Sequence, residues 1–219
     1  MYNTIRMKLE SDGILIGIKP FSERDSVARI FTRDFGVLVG MLRGANVAKI
    51  NKPLVGQIGG CVWNARLDSQ LGVFHWGAEK NLVAPLMTQS SVLMRANSAF
   101  DLLCALLPER ESYAQLYDDT LCLLRNLLFD DTAYLKWEIN LLRELGYALD
   151  LSRCSGCGTT DNLNFLSPRT GRAVCDVCAA PYINKLYKLP VDLTVTGRFL
   201  DAVCVGQGVQ MPVMRKLLK

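Results

Sequence analysis

The stretch Val27-Ala-Arg-Ile-Phe-Thr-Arg-Asp-Phe-Gly-Val-Leu-Val-Gly-Met-Leu-Arg43 decides the fold. Two runs of β-favouring residues, Val27 to Thr32 and Val37 to Arg43, flank the turn Arg33-Asp34-Phe35-Gly36, which reads as a hairpin. Upstream, Ile14, Ile16 and Ile18 alternate as a strand should; downstream, Val55 to Asn64 and Leu71 to Trp76 supply two more. Five short strands within about 65 residues are the content of a small closed barrel. An oligonucleotide-binding fold is one common solution, and an SH3-like barrel would leave the same signature.

The loop from Gly44 to Pro53 is polar and carries Lys49 and Lys52, while Arg24, Arg29, Arg33 and Arg43 lie in or beside the hairpin. Such cations can reach a phosphate backbone, and Phe21, Phe35, Phe74 and Trp76 are candidates to stack on unpaired bases. The plainer reading of these aromatics is barrel core.

After about Lys80 the period changes from two to helical spacing, which divides the chain into residues 1–80 and 81–219. Ser91 to Leu107, Ser112 to Phe129 and Thr132 to Leu145 each carry apolar residues on one helical face. Gly146 sits where a helix end favours a left-handed residue. Tyr182 to Leu189 and Leu193 to Val205 read as further helices, and Pro212 begins a short basic end. The class expected is α+β, a five-stranded barrel followed by helices.

Of the 219 residues half are hydrophobic and 21% charged, a globular composition without a disordered tract. Residues 1–80 hold eleven Lys/Arg against seven Asp/Glu, whereas residues 81–219 hold fourteen of each. The whole excess of +4 therefore lies in the first part, as a polyanion-facing segment would have it. No window reaches the roughly 18 uninterrupted apolar residues of a membrane span, and residues 1–12 lack a signal-peptide core, so the chain is expected to stay where it is made. Eight cysteines in that setting read as thiols or metal ligands.

Cys154-Ser-Gly-Cys157-Gly and Cys175-Asp-Val-Cys178, with seventeen residues between the pairs, have the spacing of a four-thiolate zinc site at about residues 150–180. Phe165 to Gly171 can form the hairpin between the two knuckles. Four thiolates leave no open coordination position, so one structural Zn2+ is expected; an iron–sulfur cluster uses the same ligand count and a redox dithiol one such pair. Cys61, Cys104, Cys122 and Cys204 read as buried core thiols, and the lone His75 as a satisfied or surface residue. Asp118-Asp119 and Asp130-Asp131 read as solvated helix-end charges. No phosphate-cradling loop, nucleophile elbow or paired-carboxylate motif is present, which points away from an enzyme.

Together these blocks resemble the RecO family, bacterial recombination mediators of DNA repair. The resemblance runs through Phe21-Ser-Glu-Arg-Asp-Ser26, Phe31-Thr-Arg-Asp-Phe-Gly36 and Arg43-Gly-Ala45. It continues through Leu141-Leu-Arg-Glu-Leu-Gly-Tyr147 into the first cysteine pair, then Phe165, Pro168, Gly171, the second pair, and Thr196-Gly-Arg-Phe-Leu200. It implies an oligonucleotide-binding barrel, a helical domain and an embedded four-cysteine zinc module acting as scaffold. It also implies binding of single- and double-stranded DNA and annealing of complementary strands. Partners would be RecR, the acidic C-terminal tail of single-strand-binding protein and, indirectly, RecA, in the bacterial cytoplasm at the nucleoid. Where relatives continue Gly-Ala with basic residues, this chain has Asn46-Val47-Ala48 before Lys49. On the charge asymmetry, Arg24, Arg29, Arg33, Arg43, Lys49 and Lys52 are expected to neutralise the DNA backbone, and a groove between helices is expected for the acidic tail, with Arg125 and Arg143 as candidates for its rim. The rival reading is a zinc-ribbon factor binding RNA or polymerase; a thiol-redox enzyme using Cys154 and Cys157 is a third.

Overall fold

The computed structural model of the protein describes residues 7–48, 52–66, 71–128, 130 and 132–218. Its strands β1 (Met7–Pro20), β2 (Ser26–Thr32), β3 (Gly36–Leu42), β4 (Gln57–Ala65) and β5 (Gly72–Asn81) close a barrel in the order β1-β2-β3-β5-β4. All contacts are antiparallel except β3 with β5, where Gly40 meets Gly72 and Met41 meets Val73. The α+β class and the five-stranded barrel expected from the sequence are present.

Closure rests on β1, which is longer than its isoleucine alternation indicated. Met7–Ile14 pairs with β4 and Gly13–Pro20 with β2, so one strand serves both sides of the seam. It turns the corner at Gly13, where a Cβ would stand 2.5 Å from Ile30 Cγ2.

Leu15, Ala28, Ile30, Leu38 and Phe74 fill the barrel, while Ile14, Ile16, Phe31 and Val37 point outward into the helical core. Strands buried on both faces carry continuous apolar runs, which is why residues 13–18 read Gly-Ile-Leu-Ile-Gly-Ile. Phe31 meets Tyr117 edge-on, ring centroids 5.6 Å apart. At Gly36, with φ +65°, a Cβ would fall 1.8 Å from the Glu111 carbonyl oxygen, so glycine lets the hairpin press against the segment entering the second helix.

The helices α1 (Ser90–Leu106), α2 (Ala114–Asn126) and α3 (Ala133–Glu144) stand where helical spacing places them. Polar groups buried between them pair with one another: Trp137 Nε1 donates to Thr120 Oγ1 at 3.0 Å, and Ser98 and Tyr134 share a bond of 2.7 Å. After them come the strands β6 (Phe165–Leu166) and β7 (Ala173–Val174), the short helix α4 (Asp176–Ala179), β8 (Tyr187–Lys188), α5 (Leu193–Gln207) and α6 (Val213–Leu217).

Several expectations need correction. Tyr182 to Leu189 is helical only in its first half: a 3-10 helix over Ala180–Lys185 gives way to β8, whose backbone is taken by β6 through Phe165–Lys188 and Leu166–Tyr187. The short basic end that Pro212 begins is the helix α6, anchored by Arg215, which is only 3% exposed and is ion-paired with the fully buried Glu138. That carboxylate also accepts from Thr196 Oγ1 at 2.6 Å, and Arg215 donates to the Leu193 and Leu218 carbonyls. Cys122 is exposed on α2, unlike buried Cys61 and Cys204 and half-buried Cys104. Asp118 and Asp119 lie inside α2, away from its ends. Phe129, Asp131 and Lys49 lie outside the described residues. No described helix is long and apolar enough to cross a membrane.

Candidate functional site

The four cysteines come together. Their Sγ atoms all lie within 4.8 Å of one another, with Cys157 and Cys175 at 3.6 Å, and the cluster could hold a metal ion. The first knuckle is shaped by glycines: Gly158 at φ +81° closes the turn, its N–H donating to the Cys154 carbonyl at 2.9 Å. A Cβ on Gly156 would stand 2.9 Å from Cys178 Sγ. The second knuckle enters α4, capped by Cys175. Between them β6 and β7 form the expected hairpin, pairing Phe165 with Val174 and Leu166 with Ala173.

The electrostatics favour a cation. Backbone N–H groups, that of Cys175 first, pull the Cys154 thiol down to about 6. Hydrogen bonds with Cys157, Cys175 and Cys154 push Cys178 up to about 12. Four sulfurs this close cannot all be thiolates on their own, and a bound dication removes the conflict. The Gly156 and Cys175 N–H groups reach Cys154 Sγ at 3.3 Å each, the support that metal-bound thiolates receive.

The module is fastened to the helices by the Thr196-Gly-Arg-Phe-Leu200 block. Arg198 stacks over the Tyr187 ring at 4.9 Å and Phe199 meets it edge-on at 5.9 Å, so β8 is gripped from α5. Gly197 leaves space for Arg215, whose guanidinium would be 3.1 Å from a Cβ there.

A second feature is a groove of about 1020 Å³ on the barrel, lined by Arg43, Arg66, His75 and Trp76 among others and by no described acidic residue. Of the six cations read from the sequence, Arg43 lines this groove; Arg24 and Lys52 are exposed, and Lys49 lies outside the described residues. Arg29 and Arg33 face the helices instead. Arg29 donates to the Cys104 carbonyl in the last turn of α1 at 3.3 Å, and Arg33 grips Asp118 with bonds of 3.1 and 2.9 Å.

Sequence reasoning assigned neither Arg66 nor His75 to such a groove. The period-two rule held the signal for His75, because its neighbour Phe74 points into the core, at 4% exposure, and so turns His75 outward. Phe74 is therefore enclosed, Phe35 and Trp76 are half-buried, and Phe21 is 63% exposed.

Arg125 is exposed on α2, and Arg143 lies 3.8 Å from Asp119 and 3.6 Å from Glu144. Neither lines the two small grooves between helices. One, of about 250 Å³, has Arg95 beside Tyr134, Leu135 and Leu193; the other, of about 280 Å³, has Arg198 and Lys216.

The family described as Recombination protein O C terminal matches residues 91–193 of the chain. A DNA repair protein RecO of Jannaschia sp. (strain CCS1) is 36% identical over 208 residues, covering 93% of this chain and 84% of its own length. Another from Rhodospirillum centenum is 35% identical over 215 residues, covering 89% and 86%. A third, from Ruegeria sp. (strain TM1040), is 34% identical over 188 residues, covering 84% and 78%.

Proposed function

This chain belongs to the RecO family of DNA repair proteins, and on that footing we propose that it is a recombination mediator without bond-making chemistry. It binds single- and double-stranded DNA, anneals complementary strands and helps RecA load onto strands coated by single-strand-binding protein. The work divides near residue 80: the barrel is an oligonucleotide-binding domain, and the helical part with its zinc module recruits RecR and the acidic tail of the coating protein. It acts in the bacterial cytoplasm at the nucleoid.

One observation carries the DNA reading. The barrel's large groove is lined by Arg43 and Arg66, has no described acid, and mixes cations with apolar wall from Leu42, Val73 and Trp76. Backbone neutralisation supplies affinity and the apolar wall suits bases. Arg24 and Lys52, both exposed, extend the positive surface, and Lys49 is assigned to DNA on the sequence alone, while Arg29 and Arg33 serve the junction with the helices. The metal assigned to the four cysteines is one structural zinc, since four thiolate donors would fill a tetrahedral shell and leave no open position. Arg125 and Arg143 are assigned to the tail as solvent-facing cations on the helical part.

The salt dependence of binding to a single-stranded oligonucleotide tests this. Arg43→Ala with Arg66→Ala should flatten the slope of log K against log salt by about 1.4, and Arg33→Ala should leave it unchanged. Affinity and slope unmoved by the double substitution would refute the groove as the DNA site. A preference for structured RNA would instead favour the zinc-ribbon reading.

A further inference from the structure

Phe21 stands 63% exposed at the turn between β1 and β2, and that turn is rigid. The Phe21 and Ser22 N–H groups donate to the Asp25 carbonyl at 3.0 and 3.1 Å, and Ser22 Oγ accepts from the Asp25 N–H at 3.0 Å. Asn46 ties the turn to the loop after β3, its Nδ2 donating to the Ser22 and Asp25 carbonyls at 2.7 and 2.9 Å. Asp25 spends its carboxylate on the Gly44 N–H at 2.8 Å. Because Ser26 pairs with Leu42, the next residues outward, Asp25 and Arg43, are opposite one another. The backbone carrying Phe21 is thus held on the same turn as Arg24, and that turn's Asp25 lies across from Arg43, a residue of the cationic groove; Glu23 is the exposed acid on the turn, and Val47, 52% exposed, adds a second apolar group.

An isolated exposed apolar side chain is ordinary. An exposed flat ring on a hydrogen-bonded turn, with one exposed guanidinium on the same turn and another on the residue across from it, suits an unpaired base, ring on ring, with the neighbouring phosphates on the cations. We propose that Phe21 is the stacking platform for one unpaired base of a single nucleic-acid strand, with Arg24 and Arg43 holding the flanking phosphates. The proposal rests on the DNA-binding reading above and gives it strand selectivity: bases in a duplex are already stacked and cannot reach the ring.

Affinities for oligo(dT) and for a duplex are compared across the native protein, Phe21→Ala, Phe21→Leu, Phe21→Trp and Arg43→Ala, with thermal melting to verify folding, and native protein is photocrosslinked to oligo(dT). Phe21→Ala and Phe21→Leu should lose roughly ten- to a hundredfold on oligo(dT) with duplex affinity within about twofold, Phe21→Trp should hold native affinity, and the crosslink should map to Phe21. Unchanged oligo(dT) affinity in Phe21→Ala while Arg43→Ala is weakened overturns the stacking role and leaves the DNA reading intact, as would equal losses on both nucleic acids. A native protein that binds neither overturns both.

Discussion

Arg33, on the turn between β2 and β3, and Asp118, in the second turn of α2, form a two-pronged ion pair that fastens the barrel to the helices, with N–O distances of 3.1 and 2.9 Å. Arg29 reinforces the same junction from the middle of β2 by donating to the end of α1. Cations that composition alone assigns to a polyanion are thereby separated into two groups, one structural and one facing solvent.

Acid should loosen this junction. Hydrogen bonding from Arg33 holds the Asp118 carboxyl below the usual carboxylate range. A depressed carboxylate contributes stability above its unfolded pKa and loses it as pH falls through the folded value, so the contribution is full at pH 7, begins to fall at about pH 4 and is gone only below the depressed folded value. Asp118→Asn should lower the urea midpoint slightly at pH 7, and its difference from the native protein should shrink steadily as pH falls below about 4. The effect is small because both side chains are about half exposed and solvent-screened.

The buried pair at the C-terminal helix should matter far more. Arg215→Met would leave Glu138, with 0% of its side chain exposed, without its counter-charge, a loss of about 3–5 kcal/mol in urea unfolding. Adding Glu138→Leu should recover much of that loss. Additive losses in the double variant would show that the two side chains do not act as a pair.

Metal analysis should find one zinc per chain, released by chelators with a fall in melting temperature, and absent from Cys154→Ser. Gly156→Ala should weaken zinc affinity without touching a ligand, since the added Cβ would stand 2.9 Å from Cys178 Sγ. Native zinc retention in Gly156→Ala against a competing chelator would count against the tight first knuckle.

Thiol labelling of the zinc-loaded protein should modify Cys122 first, the exposed cysteine outside the cluster. Burial pushes the Cys61 thiol up to about 12 and Cys104 up to about 11, so little reactive thiolate forms at pH 8 and both should label slowly. Fast labelling of Cys61 would mean that the barrel opens readily.

Much of this was legible because local patterns carried it. Alternation around Ile14 to Ile18 and the run from Val27 to Arg43 gave the strands, and the spacing of Cys154, Cys157, Cys175 and Cys178 gave the cluster. What escaped depends on partners distant in the chain. Arg33 and Asp118 are 85 residues apart and Glu138 and Arg215 are 77 apart, so no window on the sequence joins them. Tyr187 and Lys188 have helix-like neighbours, but β6 claims their backbone. Residues 7–12 are polar and alternate weakly, yet they close the barrel through pairing with β4, from Met7 with Ala65 onward.

The most direct measurement is annealing of complementary oligonucleotides coated with the cognate single-strand-binding protein, with and without its acidic tail, at two salt concentrations. The account predicts annealing that needs the tail and weakens steeply at the higher salt. Absence of both annealing and DNA binding at the lower salt would contradict it.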